Sequence, residues 1–209
     1  MGLALPDPLP GDPLPLVRAW IADATAAVRN PTAMTLATVD VDGSPSARMV
    51  ICRGLDWDAG WLVFYTDRDS AKGRALDARP RASLVFYWEP LDRQVRIDGP
   101  VTIAPDTATD AYWNSRPPDA RLAAVASEQT RPIASRAALM ARLEEVRRRF
   151  TNEVPRPERW IGYRVWAERV ELWTSQPARL HDRACWTRSL TPTGDGFTGG
   201  PWSATRLQP

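Results

Sequence analysis

Apolar and polar residues alternate along much of this chain, and a period of two predicts that these segments form β-strands. The predicted strands cover residues 33–40, 46–53, 61–66, 81–88, 93–103, 162–165, 170–173, 183–189 and 203–207. Asp42-Gly43 lies between the first two strands and supplies a hairpin turn. We therefore expect neighbouring strands to pair in the antiparallel sense.

Apolar residues recur at helical spacing in most of the remaining segments. These patterns predict helices over residues 16–28, 70–78, 106–115 and 135–150, and a short helical piece after Pro118. The first fifteen residues contain five prolines and are expected to form an extended arm, and residues 193–200 a glycine-rich loop. Strands joined by hairpins, with helices between them, predict a closed antiparallel barrel in one α+β domain, mainly β, over residues 16–209.

The composition fits a folded domain and argues against several kinds of partner. Of the 209 residues, 44% are hydrophobic and 25% charged, and a net charge of +2 is too small to indicate nucleic acid. No apolar run is long enough for a membrane span, and the N-terminus lacks a signal-peptide pattern. Two cysteines, Cys52 and Cys185, indicate neither a disulfide framework nor a metal site. We expect a cytoplasmic protein without metal.

Two runs of basic and polar residues at predicted strand ends are candidates for binding an anion. Residues 48–53 form a strand with an arginine at each end and apolar residues between them. In residues 65–73 a strand ends where a helix begins, and Lys72, the only lysine, lies in the first turn of that helix. Free N–H groups and a full positive charge there suit a phosphate monoester. An ordinary core strand and a solvated helix cap explain the same residues without a ligand.

Polar residues that could bind a flat ring or a phosphate recur further along the chain. The Gln94 amide could pair with the edge of a heterocycle, and Tyr112 and Arg116 lie four apart on one helical face. The run RLHDR at 179–183 holds the only histidine between two guanidinium groups. Trp173 precedes it and could cover a ring. A core tryptophan and a charged surface loop are the alternatives for these last two features.

The order and spacing of these runs resemble those of the pyridoxamine 5′-phosphate oxidase family over roughly residues 12–209. The resemblance is carried by RxVxxR at 48–53, FYT at 64–66, SxKG at 70–73, FYWxxLxRQVRxxG at 86–99, YWxxRP at 112–117, SxQT at 127–130, GYRV at 162–165, ELW at 171–173, RLHDR at 179–183 and the closing RLQP. It implies a split β-barrel with flanking helices that works as a homodimer. FMN would lie between the two barrels, so that both subunits furnish each site, and the C-terminal region would serve dimerisation and substrate binding.

The resemblance also implies roles for individual residues. The residues expected to bind FMN are Arg48, Met49, Val50, Ile51, Cys52, Arg53, Tyr65, Thr66, Lys72, Gln94, Gln129, Thr130, Trp173 and Arg183. Those expected to bind the substrate are Arg53, Tyr112 and Arg116 at its phosphate, with Arg179 and His181, the catalytic pair, across its ring. The implied activity oxidises pyridoxamine or pyridoxine 5′-phosphate to pyridoxal 5′-phosphate. A hydride would leave C4′ for flavin N5, and O₂ would be reduced to H₂O₂.

The chain departs from the family pattern at several positions. Arg53 replaces a usual lysine, Ala71 an arginine, and Ala120 a serine that helps to bind the substrate phosphate; the short arm also lacks an Arg-x-x-Tyr lid. We expect the flavin site to survive these changes better than the substrate phosphate site. Three other functions therefore stay open. They are an FMN oxidase of another heterocycle, as in phenazine biosynthesis, a non-catalytic flavin or pyridoxal phosphate binder, and a deazaflavin-dependent split-barrel reductase.

Overall fold

The computed structural model describes residues 3–209, which form helices around a mainly antiparallel sheet. The α-helices are α1 (Leu14–Ala27), α2 (Ala71–Ala78), α3 (Asp106–Ser115), α4 (Pro118–Ala126) and α5 (Arg136–Arg149). The strands are β1 (Ala33–Val39), β2 (Pro45–Ile51), β3 (Gly54–Asp56), β4 (Trp61–Asp67), β5 (Arg81–Trp88), β6 (Arg93–Ile103), β7 (Trp160–Trp166), β8 (Arg169–Thr174), β9 (Asp182–Thr187), β10 (Leu190–Thr193), β11 (Gly196–Gly199) and β12 (Ser203–Leu207). In this part of the chain, every helix is too short or too polar to cross a bilayer.

The strands of the barrel form a closed ring of backbone hydrogen bonds. β1 pairs with β2 and β5, β5 with β6, β6 with β7, and β7 with β4, always antiparallel. β2 continues into β3, which pairs with β4 and closes the ring. The N–H of Cys52 still donates to the Thr32 carbonyl at 2.9 Å, whereas the N–H of Arg53 donates to the Val63 carbonyl at 2.8 Å. The predicted antiparallel barrel is therefore confirmed.

Strand β6 joins this barrel to a further part of the sheet. Its residues 93–98 pair with β8, and its residues 101–103 pair with β7. Gly99 lies between the two stretches, and a Cβ atom there would stand 1.7 Å from the Trp166 carbonyl oxygen, an approach that only glycine allows. From β8 the sheet continues to β9 and β12. The C-terminal strands are thus attached to the barrel through β6.

Two apolar clusters hold these elements together. The larger one fills the barrel with fully buried side chains such as Leu36, Leu84 and Ile97, and α1 packs its apolar face against it. Burial of each such side chain stabilises the fold by about 1.5–3 kcal/mol. The second cluster contains Trp113 and Trp160 and packs α3, α4 and α5 beside the barrel. This second cluster sets the position of α3 and α4 relative to β4 and β7.

Three elements differ from the sequence-based prediction. Helix α1 begins at Leu14 rather than residue 16, because the Asp12 carboxylate accepts the Leu14 N–H at 2.9 Å and proline is tolerated in a first helical turn. The three-residue strand β3 was not predicted, since it is too short to show a period of two. The prediction of a loop over residues 193–200 is wrong. Strands β10 and β11 form a hairpin there, and Gly194 adopts the positive φ of +55° at its turn.

Candidate active site

A cleft of about 1220 Å³ opens between the barrel and helices α3 and α4. Strand β2, the end of β4, the start of α2 and the loop after α4 form its other walls. The predicted site residues that line it are Arg48, Met49, Val50, Ile51, Arg53, Tyr65, Thr66, Lys72, Tyr112, Arg116, Gln129 and Thr130. Residues that are far apart in the chain are thus brought to one cavity.

Lys72 is a buried cation in this cleft whose hydrogen-bond partners are all neutral. Its side chain is 7% exposed, and its Nζ donates to Gln129 Oε1 at 2.8 Å, Thr66 Oγ1 at 3.2 Å and Ser70 Oγ at 3.4 Å. Burial, and secondarily the charge of Arg48, lowers the pKa of Lys72 to about 8. Because buried charges are normally paired, this ammonium group is suited to an anionic ligand.

Arg48 is the second cation on the same side of the cleft. Its guanidinium donates to the hydroxyls of Ser46 at 2.6 Å and Thr38 at 2.8 Å, and to the Leu36 carbonyl at 3.2 Å. Burial lowers the pKa of Arg48. Within residues 3–209, no carboxylate oxygen lies within 4 Å of Arg48 or Lys72. The two cations are oriented by neutral oxygens, which leaves their charge for a ligand.

The loop that follows α4 is docked onto the start of α2 beside Lys72. Thr66 donates its hydroxyl hydrogen to Gln129 Oε1 at 2.8 Å, and the Ala71 N–H donates to Thr130 Oγ1 at 2.8 Å. Thr130 holds a left-handed backbone with φ of 69°, which is unusual for a β-branched residue. Strained backbone of this kind is concentrated at binding sites. The loop therefore fixes the cleft wall next to the lysine.

A stack of aromatic rings lies against a second group of cations in the cleft, Arg53 and Arg116. The rings of Tyr65 and Tyr112 lie 4.2 Å apart, and the Trp160 ring lies 5.3 Å from that of Tyr65. The guanidinium carbon of Arg116 stands 4.8 Å above the Trp160 ring, and that of Arg53 is 5.9 Å from the Tyr112 ring. Rings and guanidinium groups in these positions attract each other. The aromatic stack thus orients both arginines at one end of the cleft.

Arg116 is also incompletely satisfied. Its Nη1 is buried and has no hydrogen-bond partner in the described part of the chain. Burial lowers the pKa of Arg116, and the charges of Arg53 and Arg121 add to this effect. An anion would supply the missing acceptor and offset the mutual repulsion of these cations.

Trp160 is a cleft residue that sequence reasoning missed. It begins β7 and is buried in the second apolar cluster. The Arg156 guanidinium fixes its backbone by donating to the Trp160 carbonyl at 3.0 Å, and also binds Asp106 at 2.8 Å on α3. An apolar residue at a strand start is ordinary, so no local signal marked its contact with Arg116. That contact arises only when α3 packs on β7.

Besides Cys52, five predicted residues do not line this cleft. Gln94, Trp173 and Arg183 are direct neighbours across β6, β8 and β9, and the His181 ring lies 4.7 Å from that of Trp173. Arg179 is exposed nearby and has a left-handed backbone with φ of 61°. The structure therefore divides the predicted residues into two groups, one in the cleft and one on the sheet beyond the barrel.

His181 has a defined hydrogen-bonding pattern in the second group. Its Nδ1 accepts the backbone N–H of Gln176 at 3.2 Å. In a neutral imidazole one nitrogen accepts and the other carries the hydrogen, so this contact places the hydrogen of His181 on Nε2. The ring is therefore set to donate one hydrogen bond from Nε2.

Cys52 differs from its neighbours on β2. Its side chain is 4% exposed inside the barrel core, with Sγ 3.3 Å from the Gly54 carbonyl oxygen, so only its backbone could contact a ligand in the cleft. Burial raises the pKa of the Cys52 thiol to about 11, which makes it unreactive near neutral pH.

In residues 3–209, no group of three His, Cys, Asp or Glu side chains is arranged to hold a metal ion.

The depressed pKa of Lys72 leads to a prediction for binding of a phosphate monoester, with FMN as the probe. We expect affinity to fall as the pH rises above about 8, where Lys72 of the free protein loses its proton and anion binding must take one up. The loss should reach about tenfold per pH unit. Titrations that follow FMN fluorescence between about pH 7 and 9.5 measure it.

The variant Lys72→Met is the control for this prediction. It keeps a long buried side chain but has no charge, so it should bind FMN more weakly at neutral pH and show no loss that begins at about pH 8. The same pH dependence in both proteins would contradict the assignment of Lys72 as the titrating group.

Comparison with known sequences identifies the family of the chain. Residues 21–150 match the family model described as "Pyridoxamine 5'-phosphate oxidase", and residues 160–209 match the "Pyridoxine 5'-phosphate oxidase C-terminal dimerisation region". A pyridoxine/pyridoxamine 5′-phosphate oxidase of Gluconobacter oxydans is 43% identical over 203 residues, which is 96% of each chain. The enzyme of that name from Thermosynechococcus vestitus is 46% identical and covers 95% of this chain and 89% of its own.

Solved structures give the same result for the fold. PhzG from Burkholderia lata 383, determined in complex with tetrahydrophenazine-1-carboxylic acid, superposes with a TM-score of 0.84 at 32% identity, over 96% of this chain and 94% of its own. A pyridoxamine 5′-phosphate oxidase-related, FMN-binding protein from Nostoc punctiforme has a TM-score of 0.72 at 20% identity over both full chains, which shows a shared fold. With these matches, which cover almost all of its length, the chain belongs to the pyridoxamine 5′-phosphate oxidase family.

Proposed function

We propose that this protein is an FMN-dependent oxidase that converts pyridoxamine or pyridoxine 5′-phosphate to pyridoxal 5′-phosphate and reduces O₂ to H₂O₂. The observation that carries this proposal is the presence of two groups of cations in one cleft, Arg48 with Lys72 and Arg53 with Arg116. Within residues 3–209, none of the four has a carboxylate oxygen within 4 Å. FMN and a phosphorylated vitamer each bring one phosphate group. The cleft therefore offers one cationic group for each ligand.

The residues around Lys72 fit the phosphate of the cofactor. Lys72 and Arg48 supply charge, while Thr66, Gln129 and Thr130 hold the surrounding backbone in place through the contacts described above. Among residues 3–209 the buried ammonium group has no carboxylate partner, which is the structural reason to place an anion there. When bound, FMN supplies the hydride acceptor and passes the electrons on to O₂.

The residues around Arg116 fit the phosphate of the substrate. Arg53 and Arg116 supply charge, the Tyr112 hydroxyl supplies a further donor, and Arg116 Nη1 still needs an acceptor. Arg179 and His181 would lie across the substrate ring, where the Nε2–H of His181 donates to the reacting amine or alcohol group. Neither residue acts as a nucleophile; both orient the ring and stabilise charge on it.

The separation of the two residue groups supports a homodimer that shares its sites. Met49 and Tyr87 are 63% and 56% exposed, and both lie on the outer face of the sheet, where Tyr87 is paired with Gln94. Met49 also lines the cleft, so the outer face that holds these two exposed apolar side chains runs from the cleft towards Gln94, Trp173 and Arg183. We propose that a second copy covers this face and completes each cleft with its own Gln94, Trp173 and Arg183.

Oxidation of a phenazine precursor is the second candidate function. It is favoured by the structural similarity to PhzG, but the identity to that chain is 32%, against 43% and 46% to the two vitamer oxidases. The unpaired cations around Arg116 also favour a phosphate dianion over a single carboxylate.

We propose the cytoplasm as the location, since Cys52 and Cys185 are both free thiols and a reducing compartment keeps them so.

The purified protein tests these functions directly. We expect the absorbance spectrum of bound flavin and the release of H₂O₂ when pyridoxamine or pyridoxine 5′-phosphate is added in air. Faster turnover of a dihydrophenazine carboxylic acid would instead identify the phenazine branch. A yellow protein that gives no peroxide with any of them would be a flavin carrier, and a colourless protein that does not take up FMN would overturn the proposal.

Arg116→Met is expected to lower kcat/KM for the phosphorylated substrates by about 10- to 100-fold, mainly through a higher KM. The reason is the loss of a charged hydrogen bond of about 1.5–3 kcal/mol to the substrate phosphate. Flavin content should stay normal. Arg121→Met is the matched control, because it removes the same charge close to Arg116 from a residue that does not line the cleft. Equal losses in both variants would remove Arg116 from the phosphate site.

Sharing of the site between subunits predicts complementation of two defective chains. Lys72→Met and Arg183→Ala should each weaken FMN binding in their homodimers. A heterodimer of the two, isolated through two different tags, should have one intact site and one doubly defective site, hence about one tightly bound flavin per dimer. If Lys72 and Arg183 of the same chain shared a site, the heterodimer would bind no better than either homodimer, which FMN titration would reveal.

A further inference from the structure

Glu171 is a buried carboxylate surrounded by guanidinium groups on the sheet beyond the barrel. Its side chain is 2% exposed. Its Oε1 accepts from Arg183 Nη2 at 2.6 Å and Nε at 3.2 Å, and its Oε2 accepts from Arg169 at 3.0 Å. The Arg96 guanidinium lies 3.5 Å from Oε2. One anion on β8 thus organises three cations from β6, β8 and β9.

Among the described residues, Arg183 has fewer carboxylate partners than Arg96 or Arg169. Besides Glu171, its guanidinium donates from Nη1 to the carbonyl of Gln208, in the closing RLQP run, at 3.1 Å. These contacts use three of the five N–H donors of the side chain and fix the plane of the guanidinium from two sides. Two donors are left over for a ligand, one on Nη1 and one on Nη2.

The second carboxylate of the network does not reach Arg183. Asp98 pairs with Arg169 at 3.0 Å and lies 3.9 Å from Arg96. In the part of the chain that the structure describes, Glu171 is the only carboxylate within 4 Å of Arg183. Loss of the Glu171 charge would leave Arg96 and Arg169 with Asp98, but would leave Arg183 without any anion.

We infer that Glu171 is a positioning residue of the flavin site, which holds the Arg183 guanidinium in the orientation that binds the cofactor. This inference rests on the proposed function, in which Arg183 completes the cleft of the partner subunit. Arg183 lies opposite Trp173 across β8 and β9, and Trp173 lies opposite Gln94, so the three ligand-binding side chains stand in one row. Glu171 is two residues before Trp173 and on the same face of β8.

A purely structural role for Glu171 would have a different signature. Replacement of buried ion pairs often changes stability without any effect on a distant site. A positioning role instead requires that FMN affinity depends on Glu171 only while Arg183 is present. The two roles are therefore separated by a double-mutant cycle that measures FMN affinity, with the thermal stability of the flavin-free protein as an independent readout.

The experiment compares Glu171→Gln, Arg183→Ala and the double variant, each freed of flavin and titrated with FMN. We expect Glu171→Gln to bind FMN about tenfold more weakly, because Gln keeps the size but not the charge that orients Arg183. In the Arg183→Ala background the same substitution should cause no further loss. Glu171→Asp, which keeps the charge, should bind better than Glu171→Gln.

Asp98→Asn is the matched control, since it neutralises the other carboxylate of the network but does not touch Arg183. It should leave FMN affinity within about twofold of the unsubstituted protein even if its melting temperature falls. Unchanged affinity in Glu171→Gln, or an equal loss with and without Arg183, would overturn the inference. If Glu171→Gln does not fold, Glu171→Asp takes its place in the cycle, and a loss of FMN affinity that is equal with and without Arg183 would overturn the inference as well.

These outcomes differ from a failure of the proposed function. If the unsubstituted protein does not bind FMN, the proposed function itself is wrong. If Arg183→Ala binds FMN normally, the assignment of Arg183 to the cofactor is wrong. If Arg183→Ala weakens binding and Glu171→Gln does not, only the positioning role of Glu171 fails.

Discussion

The contact between β6 and the backbone of Trp166 at Gly99 is the constraint on which the arrangement of this protein depends. Because no side chain stands at Gly99, β6 can leave β8 and continue beside β7 within one strand. The barrel closes on one side of this point, and the sheet that carries the C-terminal residues extends on the other. The cleft and the row of Gln94, Trp173 and Arg183 therefore have fixed positions on one rigid sheet.

The two groups of predicted site residues hold their cations in opposite ways. In the cleft, Lys72 and Arg48 are held by neutral oxygens, and burial depresses the pKa of each. Beyond the barrel, Arg183 is held by the buried carboxylate of Glu171. The first arrangement leaves charge unbalanced until an anion binds, which favours binding of phosphate. The second arrangement neutralises most of the charge of Arg183 but keeps its guanidinium in a fixed orientation. Such a group is suited to contact with a neutral ring or a hydrogen-bond acceptor.

The larger elements of the fold could be predicted because their patterns are local. Alternation over seven or more residues identified strands such as β5 and β6, and helical spacing identified α1 and α5. Strand β3 has three residues, too few for a period. The β10–β11 hairpin is rich in glycine, which weakens any strand pattern, although the Gly194-Asp195 pair between the two strands is typical of a hairpin turn. Strand β3 exists because β4 offers it a partner, whereas β10 and β11 pair with each other in a separate two-stranded sheet.

For the site, the sequence by itself determined which residue types are available and in what order. The motifs shared with the family predicted most of the site residues that line the cleft. Only the tertiary structure decided that these residues form two separate groups, because the distance between β2 and β9 depends on the closure of the barrel. It also decided the positions of Trp160 and Glu171, which lie against the cations Arg116 and Arg183. Such contacts join residues distant in the chain, and no local pattern encodes them.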